Sequence, residues 1–312
     1  MAELGEANIG GRMVPAWLLN LTAEELDSLK SRWYSNPNIL DNWYFTNPVN
    51  QRGDTQHTGA SVTYFIDRWK CGGYNQTIEL TQQGLHWSSN TGIWLGQPIE
   101  NYDDLVGKVV TVSALIDNVL YSATGTVSKT GSIATRTPSD VYLEVTHVEK
   151  GVRFVTYSTN TQQISILAVK LELGSQQTLA HQENDVWVLN EIPDYGEQLR
   201  RCQRYFVNFN PNKVNWFAMP PAVASNTTQA YSAVTLPVAM RAQPVVSYGG
   251  NIALSQDVDH LVTGMIVSDQ TFTGNSIQLR YDVSAGTLTA NALYRTQGRG
   301  DSSSYIWLSA DL

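Results

Sequence analysis

The stretch DYGEQLRRCQRYF, residues 194–206, decides how this chain divides. Its residues Tyr195, Leu199, Cys202 and Phe206 recur at helical spacing, which predicts a short amphipathic helix. On either side of it, runs of β-branched and aromatic residues alternate with Gly, Asn, Asp and Pro, a pattern typical of strands and turns. One helix between two long β-rich segments therefore predicts a joint between two β domains.

The β-rich segments carry many short strand patterns and no intervening helices. This arrangement predicts an all-β chain with two consecutive antiparallel β-sandwiches of jelly-roll type. The predicted organisation is an N-terminal leader with a short helix (1–40), a jelly roll (41–175), a connector with the inter-domain helix (176–206) and a C-terminal β-sandwich (207–312). In the leader, LTAEELDSLKSRW has the spacing of a capping box that starts a helix.

Strand runs of the first domain include SVTYFIDRW and KLELGS. The second run alternates apolar and charged residues with a period of two, as a half-buried strand does. Lys170 and Glu172 are therefore expected to point outward, and Val169, Leu171 and Leu173 inward.

Length and composition narrow the class of protein. The chain has 312 residues, of which 42% are hydrophobic and 15% charged, so it can bury two cores. Its net charge of −8 disfavours nucleic acid as a partner, because phosphate binding needs a concentrated basic surface. Cys71 and Cys202 are predicted to be free thiols, and neither a metal site nor a cofactor is predicted.

The sequence lacks the patterns of export and membrane insertion. Its first residues, MAELGEANIGGRMVPAWLL, do not form a signal peptide, and no run of 18 apolar residues predicts membrane insertion. Synthesis in a cytoplasm is therefore expected.

Five motifs, in this order, resemble tail-fibre and receptor-binding proteins of phages and prophages. They are ILDNWYFTNPVNQRG (39–53), YFIDRWK (64–70), ISILAVKLELGSQQTLAH (164–181), YGEQLRRCQRYF (195–206) and LPVAMRAQPVV (236–246). The resemblance implies a jelly roll like a carbohydrate-binding module, followed by a β tip domain, in a homotrimeric appendage of the virion. It also implies a bacterial surface glycan as receptor, and attachment to other tail or baseplate proteins through the N-terminal segment.

Saccharide binding on a β domain needs exposed aromatic rings beside amides and carboxylates. Residues 71–102 offer this mixture, and so do residues 205–217 and 294–307 of the tip domain. The predicted carbohydrate-binding residues are Tyr74, Asn75, Gln82, Trp87, Trp94, Trp216 and Tyr294. Core positions for Trp87 and Trp94 are an equal alternative.

The same helix offers an oligomer interface. Three copies around an axis would bury Tyr195, Leu199, Cys202 and Phe206 together, whereas the alternative packs this face on its own tip domain. A homotrimer would also give weak sites the avidity that a monomer lacks.

Catalytic motifs such as GxSxG and HExxH are absent from the sequence, and no catalytic residue is predicted. Glu144 with Glu149, and Asp103 with Asp104, are interpreted as solvated loop charges rather than a glycosidase pair. The expected function is non-enzymatic attachment. Two alternatives stay open, a purely structural spacer and a polysaccharide-degrading tail enzyme.

Overall fold

The computed structural model describes residues 35–59, 62–73, 76–90, 92–268, 271–284, 287–300 and 302–312, together with the backbone of residues 6–9 and 12–15. Strands dominate this part of the chain, and all of them pair in antiparallel fashion, which confirms the all-β prediction. The leader contributes a hairpin of β1 (Glu6–Ile9) and β2 (Arg12–Pro15). The predicted leader helix, LTAEELDSLKSRW, lies outside the described residues.

Two six-stranded sheets form the first domain. In spatial order, one sheet contains β10 (Val119–Thr126), β9 (Val109–Ile116), β14 (Gln162–Leu173), β7 (Gly84–Ser89), β6 (Gln76–Thr81) and β3 (Gln56–Gly59). The other contains β11 (Ser132–Arg136), β12 (Val141–Thr146), β13 (Gly151–Thr156), β8 (Ile93–Pro98), β5 (Trp69–Gly72) and β4 (Thr63–Ile66). Their inner faces share one core, in which Trp69 meets Phe45 edge-on at 5.0 Å between ring centroids. A short helix, α1 (Tyr102–Leu105), precedes β9.

The run SVTYFIDRW, expected to be one strand, is divided between β4 and β5. A tight turn at Asp67 and Arg68 separates the two strands, and Arg68 has a φ of 71°. This left-handed conformation reverses the chain where an extended run was expected. The turn buries Asp67 between the domains, as described below.

The alternation predicted for KLELGS is wrong for three side chains. Lys170 and Glu172 are fully buried, and Leu173 is 51% exposed. The outer face of β14 is covered by segments outside the strand, since Lys170 Nζ donates to Ser35 Oγ at 2.7 Å and Thr178 N donates to Glu172 Oε1 at 2.7 Å. A charged side chain tolerates such burial only with these partners. Val169 and Leu171 are buried as predicted.

The connector is more structured than its polar composition suggested. It contains a hairpin of β15 (Ala180–Glu183) and β16 (Val186–Leu189), whose Trp187 and Leu189 pack against the first core. The predicted inter-domain helix is confirmed as α2 (Tyr195–Gln203). The Asp194 side chain caps its N-terminus by accepting a hydrogen bond from Glu197 N at 2.7 Å.

In the second domain, the main sheet closes on itself as a barrel. Its strands, in spatial order, are β18 (Trp216–Ala224), β19 (Gln229–Thr235), β23 (Ser276–Val283), β22 (Asp259–Val267), β21 (Ile252–Ser255) and β24 (Leu293–Arg299). A smaller sheet joins β17 (Phe206–Asn208), β25 (Tyr305–Ser309) and β20 (Val245–Gly249). The domain keeps the predicted antiparallel class. It differs from an open sandwich because closure pairs the edge strands with each other.

Candidate functional site

The first feature that the motifs build is the packing of α2 on the first domain. Gln198 Oε1 accepts a hydrogen bond from Asn42 N at 2.6 Å, and both residues are buried. Arg201 and Arg68 both bind the Asp41 carboxylate, with N–O distances of 2.6 and 3.0 Å. The helix is therefore fixed to the first domain by charged and amide contacts rather than by an apolar stripe alone.

The second feature is a contact between the two domains, here called the domain joint and formed by Gln51, Arg52, Asp67, Phe206 and Asp311. Gln51 Nε2 donates to Phe206 O at 2.8 Å. Arg52 forms an ion pair with Asp311 at 2.6 Å, and its guanidinium carbon lies 3.8 Å from the centroid of the Phe206 ring. These contacts join residues more than 150 positions apart in the sequence.

Asp67 is the buried charge of the domain joint. It is inaccessible to solvent and accepts hydrogen bonds from Gln51 N at 2.6 Å and from Gln51 Nε2 at 3.1 Å. Burial raises the pKa of its carboxyl to about 6, although the Arg52 charge and the Gln51 hydrogen bonds oppose this rise. The joint therefore contains a carboxyl that titrates near neutral pH.

The polar side chains of three motifs are thus engaged in holding the molecule together. Asn42 and Gln51 of the motif 39–53 form hydrogen bonds with residues of the motifs 64–70 and 195–206 rather than with solvent. Asn42, Gln51 and Gln198 are consequently structural within one chain and are not available to a saccharide.

The predicted oligomer interface needs correction at two of its four residues. Cys202 and Phe206 are buried within a single chain, Phe206 by an edge-on contact with Trp307 at 5.6 Å. They are therefore not available to another copy. Leu199 is half-buried, and Tyr195 remains exposed. The prediction is wrong at Cys202 because α2 turns this side chain inward, and at Phe206 because the helix ends at Gln203 and Phe206 belongs to β17, packed on Trp307.

Of the residues predicted to bind saccharide in the first domain, Tyr74 and Asn75 lie outside the described residues. Gln82 is exposed in the turn between β6 and β7. Trp87 is a core residue, 1% exposed, whose Nε1 donates to Gln76 Oε1 at 3.3 Å, so its assignment as a ligand platform is wrong. Trp94 is half-buried on the outer face of β8.

In the tip domain, Tyr294 and Trp216 have opposite environments. Tyr294 is 2% exposed, and its Oη accepts a hydrogen bond from Thr289 N at 2.8 Å, so its assignment as a binding residue is wrong. It points into the barrel because β24 alternates inward and outward positions. Trp216 is 57% exposed at the start of β18. Of the two predicted tip residues, only Trp216 presents its ring to solvent.

Trp216 borders an open cleft of about 590 Å³ on the outside of the barrel. The lining residues come from the start of β18, from the loop between β21 and β22, from the start of β22 and from β24: Trp216, Gln256, Asp257, Val258, Asp259, Arg295, Gln297 and Arg299. Arg299 lies opposite Trp216 in the register of β18 and β24, with its guanidinium carbon 5.7 Å from the ring centroid. The cleft therefore has one exposed indole beside a guanidinium.

A row of hydrogen-bonded polar groups continues from this pair. Arg299 forms an ion pair with Asp259 Oδ2, and Asp259 Oδ1 accepts a hydrogen bond from Ser255 Oγ. Ser255 Oγ in turn accepts one from Gln297 Nε2 at 3.0 Å. Ser255 is buried and holds Asp259 and Gln297 in place. Fixed amide and carboxylate groups next to an aromatic face are the arrangement that orients sugar hydroxyls while the ring stacks.

Sequence reasoning named the segment around Arg299 but missed Ser255 and Asp259. The period-two pattern of YRTQGR could have found Gln297 and Arg299. If Tyr294 faces the core, alternation along the strand places Gln297 and Arg299 on the outer face. The contribution of β21 and β22 depends on barrel closure, which no local pattern shows.

Three of the four carboxylates considered for catalysis form ion pairs. Glu144 and Glu149 both bind Arg153, at 2.9 and 3.1 Å, and Glu144 is buried in β12, so the interpretation as solvated loop charges is wrong for Glu144. Asp103 fits that interpretation, with an exposed contact to Lys150 at 2.9 Å.

The described residues contain no group of three or more His, Cys, Asp or Glu side chains placed to hold a metal ion. No helix in the described part of the chain is long and apolar enough to cross a membrane. In comparisons with known proteins, no family model matches the chain, and no curated protein matches it significantly. The likeness to tail-fibre proteins therefore stays a prediction from the sequence motifs.

Proposed function

We propose that this protein attaches a phage or prophage particle to bacterial surface carbohydrate, through the Trp216 cleft of its tip domain and as a homotrimer. The observation that carries the proposal is the exposed Trp216 ring beside the polar row of Arg299, Asp259, Ser255 and Gln297. The order of the sequence motifs supports a tail appendage as its setting.

The shape of the cleft supports weak, reversible binding. An open cleft covers one side of a sugar ring, and a millimolar site is worth about 4 kcal/mol. Linking several such sites raises the effective affinity by about 10² to 10⁴ without a new contact. A homotrimer carried in several copies by a particle would make such a shallow cleft sufficient for attachment.

The test compares Trp216→Ala with wild type on a glycan array and in adsorption to bacterial cells. Val245→Ala is the matched control, because Val245 is an exposed apolar side chain outside the barrel. We expect Trp216→Ala to lose binding in both assays while the control keeps it. Unchanged array and cell binding by Trp216→Ala would refute the cleft as the attachment site.

A structural spacer is the second candidate, and the domain joint favours it. The motif residues Gln51, Arg52 and Asp67 serve to fix one domain on the other, which is the property a spacer needs. The same assays distinguish the two functions. Wild-type protein silent on the array and on cells would favour the spacer over attachment.

A hydrolase is the weaker competitor. Asp257 and Asp259 line the same cleft, but both oxygens of Asp259 are engaged, by Arg299 and by Ser255. A glycosidase needs one carboxyl that donates a proton and another that attacks or activates water. We therefore expect no release of reducing sugar from bound polysaccharide, and release that Asp257→Asn abolishes would refute the non-enzymatic assignment.

A further inference from the structure

The outer face of the second sheet in the first domain carries an aromatic side chain seated on a glycine. Trp94 of β8 lies opposite Gly72 of β5 in the register of the sheet. A Cβ atom at position 72 would lie only 2.8–2.9 Å from three atoms of the Trp94 indole. The absence of a side chain at Gly72 therefore lets the indole lie across the neighbouring strand, where it remains half-buried.

A groove of about 280 Å³ runs beside this indole. Its wall and floor consist of Lys70, Trp94, Gly96, Pro98, Val148, Glu149 and Leu312. Gly96 lies opposite Lys70 in the register and offers no side chain between that residue and the indole. The groove thus places an aromatic surface and an ammonium group on the same sheet face, one strand apart.

Two arginines of this sheet are paired with carboxylates. Arg153 binds Glu144 and Glu149, and Arg136 binds Asp140 at 2.9 Å. Lys70 Nζ contacts the backbone oxygen of Leu312 at 3.5 Å and lies 5.8 Å from the centroid of the Tyr64 ring, and no ion pair joins it to a carboxylate side chain among the described residues. An ammonium has three donors. Lys70 therefore retains donors and positive charge for a ligand in the groove.

We propose that this groove is a second saccharide site, which takes an acidic pyranose with the sugar ring on Trp94 and its carboxylate at Lys70. An indole face fits the C–H surface of a pyranose, and an unpaired ammonium complements a uronic acid. The site goes beyond the proposed function, because a ligand here needs nothing from Trp216. It also distinguishes sugars, since a neutral pyranose makes the stacking contact without the ionic one.

The test titrates the full chain with D-galacturonate and, in parallel, with methyl β-D-galactoside, and follows the indole N–H signals by NMR. Trp94→Phe identifies the Trp94 signal. We expect galacturonate to shift that signal at millimolar concentration and to bind about fivefold more tightly than the galactoside, the size of an exposed ion pair.

Variants separate the two contacts. Lys70→Met keeps the apolar stem and should remove the preference for galacturonate while leaving galactoside binding unchanged. Gly72→Ala displaces the indole without changing charge and should weaken both sugars, whereas Trp216→Ala should change neither titration. An unmoved Trp94 signal, or equal affinity of wild type for the two sugars, would overturn the proposal, whatever the outcome at the Trp216 cleft. A Lys70→Met variant that retains the preference would overturn it as well.

Discussion

Replacing Asp67 by asparagine tests the domain joint through its pH dependence. The buried carboxyl has a pKa of about 6 in the folded protein, against an ordinary value of 3.8, because burial penalises its ionised form. Each pKa unit corresponds to about 1.4 kcal/mol, so ionised Asp67 destabilises the folded state by about 3 kcal/mol relative to the neutral form. Asparagine has the same shape and cannot ionise.

The sign of the effect follows from the direction of the shift. A carboxyl whose pKa is raised on folding stabilises the protein fully below pH 3.8, and this contribution is lost as the pH rises through about 6. The free energy of unfolding of wild type should therefore fall relative to that of Asp67→Asn as the pH rises. Between pH 4 and pH 7.5 the relative loss should be about 2 kcal/mol.

Urea unfolding at a series of pH values, followed by tryptophan fluorescence, measures both free energies. The difference between the two proteins cancels the titration of all other groups. The loss of one Gln51 hydrogen bond in the variant adds a constant to this difference and leaves its change with pH unaffected. Asp54→Asn, an exposed change in the same segment, controls for removal of a carboxylate as such. A difference that stays constant with pH, or one that grows in favour of wild type at high pH, would refute the burial argument.

Three further experiments test the domain joint, the buried Tyr294 and the buried thiols. Arg52→Met leaves Asp311 without its ion pair in a nearly buried site, so the free energy of unfolding, measured by urea unfolding, should fall by about 3 kcal/mol. A loss below about 1 kcal/mol would contradict the role of this ion pair in the domain joint. Tyr294→Phe removes the Oη that accepts a hydrogen bond from Thr289 N. The free energy of unfolding should fall by about 1 kcal/mol in the same assay, while binding on the glycan array stays intact. Lost binding would show that Tyr294 does contribute to the saccharide site. Burial raises the pKa of the Cys71 thiol to about 11 and that of the Cys202 thiol well above its ordinary value. Mass spectrometry should therefore find both thiols alkylated by iodoacetamide at pH 8 only in denaturant. Alkylation of the native protein would argue against their burial.

Local signals sufficed for the class of fold and for the single helix between the domains. The apolar spacing and the cap at Asp194 lie within one stretch of residues, so no distant contact is needed to recognise α2. The same is true of the strands, whose β-branched runs are interrupted by turn residues. Such features depend on neighbours in the sequence, which is why they could be predicted.

The burial of Lys170 and Glu172 depends on segments outside their own strand. Alternation along β14 separated its two faces, but it could not show that Ser35 and Thr178 cover the outer one. Lys170 and Glu172 were therefore assigned to solvent although their partners come from the leader and the connector. Local periodicity distinguishes the faces of a strand and leaves open whether either face meets water.

The aromatic residues show the same limit within the candidate sites. Trp87 and Trp216 both stand among polar neighbours in the sequence, yet one fills the core and the other is exposed. The difference arises from the sheet register, which places Ile78 and Ile164 opposite Trp87 and the exposed Arg299 opposite Trp216. Strand pairing within each of the two sheets decides this, and no local pattern around either tryptophan shows it.

The domain joint affects the avidity that several weak saccharide sites could provide. Avidity requires that sites engage at the same time, and the gain disappears when geometry forbids it. Gln51 and Arg52 hold the two domains by contacts that are largely buried, so the Trp216 cleft and the Trp94 groove keep a defined separation within each chain. A folded Arg52→Met variant should therefore adsorb less well to cells while its affinity for a single sugar stays unchanged. Equal adsorption would show that attachment needs only one of the domains, and the joint would then serve stability alone.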